Sequence, residues 1–322
     1  MIKWGILGTG KIASLFAKDF QYITNGELLA VASRTPERAG QFAFENHIRD
    51  VHDSYESLAQ SRKIDAVYIA TPHNRHFEDA KLCLENGKSV LCEKPIAVNS
   101  SQLEELTNIA TDNNVYLMEA LWTWFLPAII KASEWLDNGR IGNIKMISSA
   151  FGFRATYDPG SRLYNPELAG GTLLDLGIYN LFLMNSFMSG EPLDIKASAN
   201  MADTGVDEHL AITATYSNGV IAQLSSAFSC TLQSDAVISG TKGVIRLPRF
   251  WEAKTAFLET STERETFEDT HPCKGYYYEI QELNDWMLEG KPGVPYPMEM
   301  SLRIMRQMDE VRRKIGLKYP FE

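Results

Sequence analysis

The chain has 322 residues, 44% of them hydrophobic and 22% charged, which is room for two domains with substantial cores. Its formal net charge of −10 disfavours nucleic acid and anionic membranes as partners, so any anionic ligand has to be held by local groups. Four scattered cysteines (Cys83, Cys92, Cys230, Cys273) with no CxxC pair read as free thiols in a reducing compartment, against a disulfide framework or zinc site.

The opening MIKWGILGTG reaches glycine before a signal-length apolar region can form. The longest largely apolar stretch, ALWTWFLPAII (120–130), is interrupted by Thr123 and Pro127 and is too short to span a bilayer. The expectation is a cytoplasmic protein with no membrane association. Along the first 120 residues, short apolar runs at 2–8, 27–33, 64–70, 89–93 and 115–119 read as strands. The stretches KIASLFAKDF, PERAGQFAFEN, FEDAKLCLENG and SQLEELTNIATDNN between them read as helices, with Asn99 or Ser100 as a cap for the last. Strands alternating with helices predict an α/β domain built on a doubly wound parallel sheet.

The pattern then changes. HLAITATYSNGVIAQLSSAF (209–228) carries two strand-like runs around Asn218-Gly219, a hairpin signal. KMISSAFGF, DAVISGTKGVIRL and AKTAFLETSTERETFE are further β-rich segments, and YYYEIQELNDWMLEG and MEMSLRIMRQMDEVRRKIG are helical. These predict a C-terminal α+β domain with a large, open, mainly antiparallel sheet. The expected division is residues 1–120 and 121–322, with no repeat or long linker.

GILGTGKIA places Gly8-x-Gly10-x-x-Ala13 directly after the first strand and at the opening of a helix. Glycines there permit a tight turn and close approach to a pyrophosphate, and the helix start around Thr9, Lys11 and Ile12 offers unbonded N–H groups. The second strand ends in Ser33 and Arg34 where an NAD site normally has a carboxylate, and Arg38 follows one helical turn later. This favours NADP(H), a guanidinium gripping the 2′-phosphate, while NAD(H) stays an alternative.

Within VLCEKPIAV, a buried strand ends at Glu93 and presents Lys94 at its mouth, followed by Pro95. TLLDLGIYNLFLM (172–184) is so apolar that a helix there must be buried, and Asp175 and Tyr179, four apart, share one of its faces. Buried polar groups need partners, and an ammonium would satisfy both. Trp122, Trp124, Phe125, Phe151, Phe153 and Tyr164 form an aromatic-rich region bracketing these residues. His73 with His76, and Asp203, Asp207, Glu208 and His209, invite a metal reading. Neither group completes a ligand set, and no metal is expected.

With ATPHNRHFEDA, GKSVLCEKPIAV, MEALW, GGTLLDLGIY, TGVDE and SGTKG in view, the sequence resembles the Gfo/Idh/MocA oxidoreductases from end to end. Within them it is most like the dimeric dihydrodiol dehydrogenases and relatives of glucose–fructose oxidoreductase. The resemblance implies an N-terminal Rossmann domain, and a C-terminal domain whose open sheet carries the active site on one side and an oligomer interface on the other. It places Lys94 beside the nicotinamide with its Lys-Pro peptide often cis. It sets Thr71, Pro72, Asn74, His76 and Glu93 along the cofactor, and the loop of Arg162 beside the substrate. Many members have His where this chain has Tyr179, and the dihydrodiol dehydrogenases tend to have Arg where it has Trp124.

The expected activity is reversible hydride transfer between the nicotinamide and a secondary alcohol of a sugar, polyol or cyclic diol. Lys94, Tyr179 and Asp175 are the catalytic candidates, and Trp122, Phe153 and Arg162 the substrate contacts. Tyr179 would take the hydroxyl proton, with Lys94 the other candidate for that role, and Asp175 would orient these groups. Two rivals are hydride shuttling between sugars on tightly held NADP and a non-enzymatic dinucleotide sensor. The partly apolar sheet runs AITATY and VIAQLSSAF predict a homodimer through that sheet.

Overall fold

The computed structural model describes residues 1–322. In the first half, the apolar runs form strands β1 (Ile2–Leu7), β2 (Gly26–Ala32), β3 (Asp50–His52), β4 (Ala66–Ile69), β5 (Ser89–Glu93) and β6 (Leu117–Ala120). They alternate with helices α1 (Lys11–Asp19), α2 (Pro36–Glu45), α3 (Tyr55–Ala59), α4 (His73–Glu85) and α5 (Ser100–Asp112). Every strand pair is parallel, and the order is β3-β2-β1-β4-β5-β6. Such strands are buried on both faces, which is why β4 and β5 read as continuous apolar runs without alternation. The chain leaves β1 in one direction and returns at β4 on its other side, so the two crossovers diverge at the carboxyl ends of β1 and β4. Ligands of open α/β sheets bind at such a divergence. Asn99 caps α5, its side chain accepting from the Gln102 N–H at 3.0 Å.

The fold divides into two units, Met1–Trp122 with Pro272–Leu302, and Thr123–His271 with Arg303–Glu322. The expected division, 1–120 and 121–322, misses the return of residues 272–302 to the first unit. Specific polar anchors cause that return. Asp19 accepts backbone N–H bonds from Lys274 and Gly275 at 2.8 and 2.9 Å, fixing the start of a late helix. The indole of Trp4 donates to Asn284 at 2.9 Å, and Ser301 donates to the buried Glu119 at 2.6 Å.

The second unit contains α6 (Pro127–Asp137), β7 (Ile144–Gly152) and a widened π-helical turn over Leu173–Gly177 that runs into α7 (Ile178–Phe187). Strands β8 (Asp194–Met201), β9 (Asp207–Thr215), β10 (Ile221–Ala227), β11 (Asp235–Gly240), β12 (Gly243–Pro248), β13 (Thr255–Thr260) and β14 (Arg264–Glu268) follow. The chain closes with α8 (Tyr276–Leu288) and α9 (Met298–Ile315). The sheet order is β14-β13-β12-β11-β7-β10-β9-β8, antiparallel except where β7 meets β10. The hairpin at Asn218-Gly219 joins β9 to β10, with Gly219 at a φ of +80°. Ile147, Ile195, Ala214, Ala222, Ile238, Ile245 and Leu258 form the buried row across one sheet face. On the other face, Lys196, Gln223, Arg246 and Phe257 are exposed. No helix is long and apolar enough to cross a membrane.

Candidate active site

At the end of β1, Gly8 adopts a φ of +99°, where a Cβ would sit 2.7 Å from the Ala70 carbonyl oxygen. That crowding requires glycine. Gly10 precedes α1, which has no side-chain cap, and a Cβ on Gly10 would meet nothing within 4 Å. Open space in front of uncapped N–H groups suits a pyrophosphate, so these residues fit a dinucleotide. Lys11 and Ile12 are exposed at the helix start, and the Thr9 hydroxyl donates to Ser33 Oγ at 3.3 Å. Past the end of β2, Ser33 is buried while Arg34 and Arg38 are exposed to solvent.

The loops after β4 and β5 are tied together by His76. Its Nδ1 lies 2.8 Å from the Pro95 carbonyl oxygen and its Nε2 2.8 Å from that of Thr71. A neutral imidazole has one N–H, so it donates to one of these carbonyls at a time. Burial holds the ring below the usual imidazole range, against the pull of the two carbonyls. The Thr71 hydroxyl and Arg75 both hydrogen-bond to the buried Asp79, at 2.7 and 2.8 Å. His76 therefore fastens the segment that follows Lys94. No group of His, Cys, Asp or Glu side chains forms a metal-binding cluster.

Glu93 and Lys94 leave the carboxyl end of β5, and the Lys94–Pro95 peptide is cis. Tyr68 on β4 donates to Glu93, and its ring stacks on Phe16 of α1 at 3.7 Å between centroids. Burial, reinforced by the Glu93 carboxylate, pushes the Tyr68 phenol well above its ordinary range, so it serves as a donor. Two residues beyond Lys94, the Ile96 N–H donates to Glu119 at 3.0 Å. Desolvation raises the Glu119 pKa, against its bonds from Ser301 and Ile96 and the nearby Lys94 charge. Trp122, expected at the substrate, is buried in the first unit with its ring 4.7 Å from that of Tyr276.

In the second unit, Asp175 lies in the widened turn and Tyr179 in the first turn of α7, both largely buried. Single π-helical turns inside α-helices are frequent at functional sites. Arg162 reaches Asp175 with an Nη1–Oδ1 distance of 3.1 Å. The residue after Tyr179 fixes the helix to the sheet. Ser149 donates to Asn180 Oδ1 at 2.7 Å, and Asn180 Nδ2 donates to the Ser225 carbonyl and Ser226 Oγ. An aromatic shelf flanks Tyr179. Phe151 lies 5.9 Å from its ring and stacks on Trp251 at 3.7 Å with 10° between planes. Phe153 is exposed beside Phe228, at 5.5 Å.

Two participants escaped sequence reasoning. Trp251 sits alone between β-rich segments with no periodicity to mark it. Asp207 stood in the sequence within TGVDE and an acidic patch with no role assigned to it, yet it is fully buried and accepts bonds from Thr172 and Leu173.

Residues 2–121 match the family described as "Oxidoreductase family, NAD-binding Rossmann fold", and residues 129–246 match "GFO/IDH/MocA C-terminal domain". The chain is 34% identical over 330 residues to trans-1,2-dihydrobenzene-1,2-diol dehydrogenase of Xenopus tropicalis, covering 99% of each chain. It is also 34% identical over 331 residues to the enzyme of that name from Mus musculus, covering 99% of this chain and 98% of the other. Among solved structures, it resembles KijD10, a 3-ketoreductase from Actinomadura kijaniata in complex with NADP and TDP-benzene. The TM-score is 0.88 at 26% identity, over 98% of each chain.

Proposed function

The chain belongs to the Gfo/Idh/MocA family of NAD(P)-binding oxidoreductases, and from that premise we propose that it is an NADP(H)-linked dehydrogenase of ring-shaped sugars, polyols or cyclic diols. The observation that carries the substrate class is the stacked Phe151–Trp251 pair beside Tyr179, a flat apolar shelf next to a phenol and a paired carboxylate. Flat aromatic surface suits the faces of rings, and the polar groups at its edge suit their hydroxyls. The relatives' names agree with this reading, one being a dehydrogenase of a dihydrobenzene diol and the other a 3-ketoreductase held with TDP-benzene.

When bound, the dinucleotide supplies the carbon that accepts or donates hydride. The side chains do the rest. Tyr179 takes the proton of the reacting hydroxyl, and the Lys94 ammonium stabilises the negative charge developing on that oxygen. Asp175, oriented by Arg162, accepts a hydrogen bond from a second substrate hydroxyl. That second contact favours vicinal diols over simple alcohols. Lys94 is the alternative carrier of the proton, and Tyr179→Phe separates the two: full turnover in that variant assigns the transfer to Lys94.

Selection of NADP(H) falls to Arg34 and Arg38, exposed where β2 ends without a carboxylate. Thr71, Pro72, Asn74 and Glu93 complete the cofactor contacts. We also propose a homodimer through the sheet face that carries Gln223, Ala211 and Ile221, where exposed apolar and polar side chains mix. A protein that sediments as a monomer at micromolar concentration would remove the dimer. The activity is tested by following reduced-nicotinamide absorbance with both cofactors against cyclic diols, aldoses, inositols and open-chain alcohols. Turnover with ring diols and NADP is expected. Turnover of simple alcohols alone would sink the substrate assignment.

A further inference from the structure

Asp207 opens β9, and its side chain is inaccessible to solvent. Its Oδ2 accepts the Thr172 hydroxyl at 2.6 Å and the Leu173 N–H at 2.7 Å. These are the two residues at which the widened turn begins. The adjoining Gly171 has a φ of +115°, and a Cβ on it would lie 2.2 Å from Asp207 Oδ1. The carboxylate therefore excludes any side chain at that position. Next to it, the Gly170 carbonyl accepts a bond from the Tyr319 hydroxyl at 2.7 Å. Residues 170–173 are thus held at three points, immediately ahead of Asp175. The contact between Asp207 and position 171 accounts for the second glycine of GGTLLDLGIY and the aspartate of TGVDE; a Cβ on the first, Gly170, would instead lie 2.8 Å from the Leu163 carbonyl oxygen.

Bonds to a side-chain hydroxyl and to the next backbone N–H constrain both the position and the rotation of the helix start. A single cap would leave rotation free. Asp207 makes these bonds to uncharged donors. The other titratable group facing it is the Tyr319 phenol, which lies under the Arg312 guanidinium. We propose that Asp207 is a positioning residue for catalysis, fixing the start of the Asp175–Tyr179 turn through Thr172 and Leu173. The proposal rests on the roles given above to Asp175 and Tyr179.

The test compares Asp207→Ala, Asp207→Asn and Thr172→Val with the wild-type enzyme, at a temperature where circular dichroism shows each to be folded. An asparagine oxygen can still accept both bonds, whereas alanine accepts neither. Asp207→Ala is expected to lower kcat about tenfold or more, with NADPH affinity unchanged and amide exchange over residues 172–180 accelerated. Asp207→Asn is expected to stay within about threefold of wild type. If Asp207→Ala does not fold, Thr172→Val provides the same readout through the loss of one bond. Unchanged exchange over 172–180 would overturn the positioning role itself. An Asp207→Asn variant as inactive as Asp207→Ala would overturn the hydrogen-bond basis. Accelerated exchange with kcat intact, together with an active Tyr179→Phe, would instead reject the assignment of the turn to catalysis.

Discussion

Arg162 and Asp175 form an ion pair of 3.1 Å in which the carboxylate side chain is 10% exposed and the guanidinium 54%. The partly dehydrated acid is thus held by a cation that water still reaches. Exposure of Arg162 screens the attraction, so the pair acts mainly by orienting Asp175. Arg162→Ala should raise KM for a diol about threefold to tenfold while leaving kcat within about twofold. Added salt should produce a weaker version of the same change in the wild-type enzyme. Steady-state kinetics at low and high ionic strength check both. Equal KM values in variant and wild type would show that the pair does not orient the acid.

Cofactor choice should follow the arginines after β2. Arg34→Ser combined with Arg38→Ser is expected to weaken NADPH binding about tenfold or more and to leave NADH binding nearly unchanged. Fluorescence titration of both dinucleotides measures the difference. An equal loss for the two would mean that the guanidinium groups contact something other than a 2′-phosphate.

Stability should fall with rising pH across the mildly acidic range. Burial, opposed by the bonds from Thr172 and Leu173, raises the Asp207 pKa from 3.8 to about 6. Between those values the folded state keeps a proton that the unfolded chain has lost, so folding is progressively disfavoured as pH rises through the window. The effect is on the order of 2–3 kcal/mol from this residue. Glu119 and Glu279, raised by burial in the first unit, act in the same direction. Urea unfolding at several pH values should show a shallower dependence for Asp207→Asn. A wild-type protein that instead gains stability between pH 4 and pH 6 by about this amount would contradict the assignment.

The parallel sheet was legible because buried strands and amphipathic helices leave strong, different periodicities. The short β3 (Asp50–His52) and five-residue α3 (Tyr55–Ala59) were not, since three or five residues carry no period. Strand β8, DIKASANM, went unread because small and polar residues fill most of it. The return of α8 to the first unit depends on long-range bonds such as Trp4 to Asn284, which no local pattern announces. In the site, the glycine loop, Lys94 and the Asp175–Tyr179 pair stood out as polar or flexible residues in apolar surroundings. Trp251 gave no such contrast, and Asp207 carried the wrong one, resembling a solvated acidic loop. Only the fold reveals that it is buried.

The most direct test of the mechanism is the turnover of Lys94→Met, measured alongside its NADPH affinity. This substitution removes the ammonium and keeps a side chain of similar length. If Lys94 acts on the reacting oxygen, kcat should fall by a factor on the order of a thousand while the dissociation constant for NADPH stays within about threefold. A Lys94→Met enzyme that binds NADPH normally and turns over a ring diol at close to the wild-type rate would contradict it.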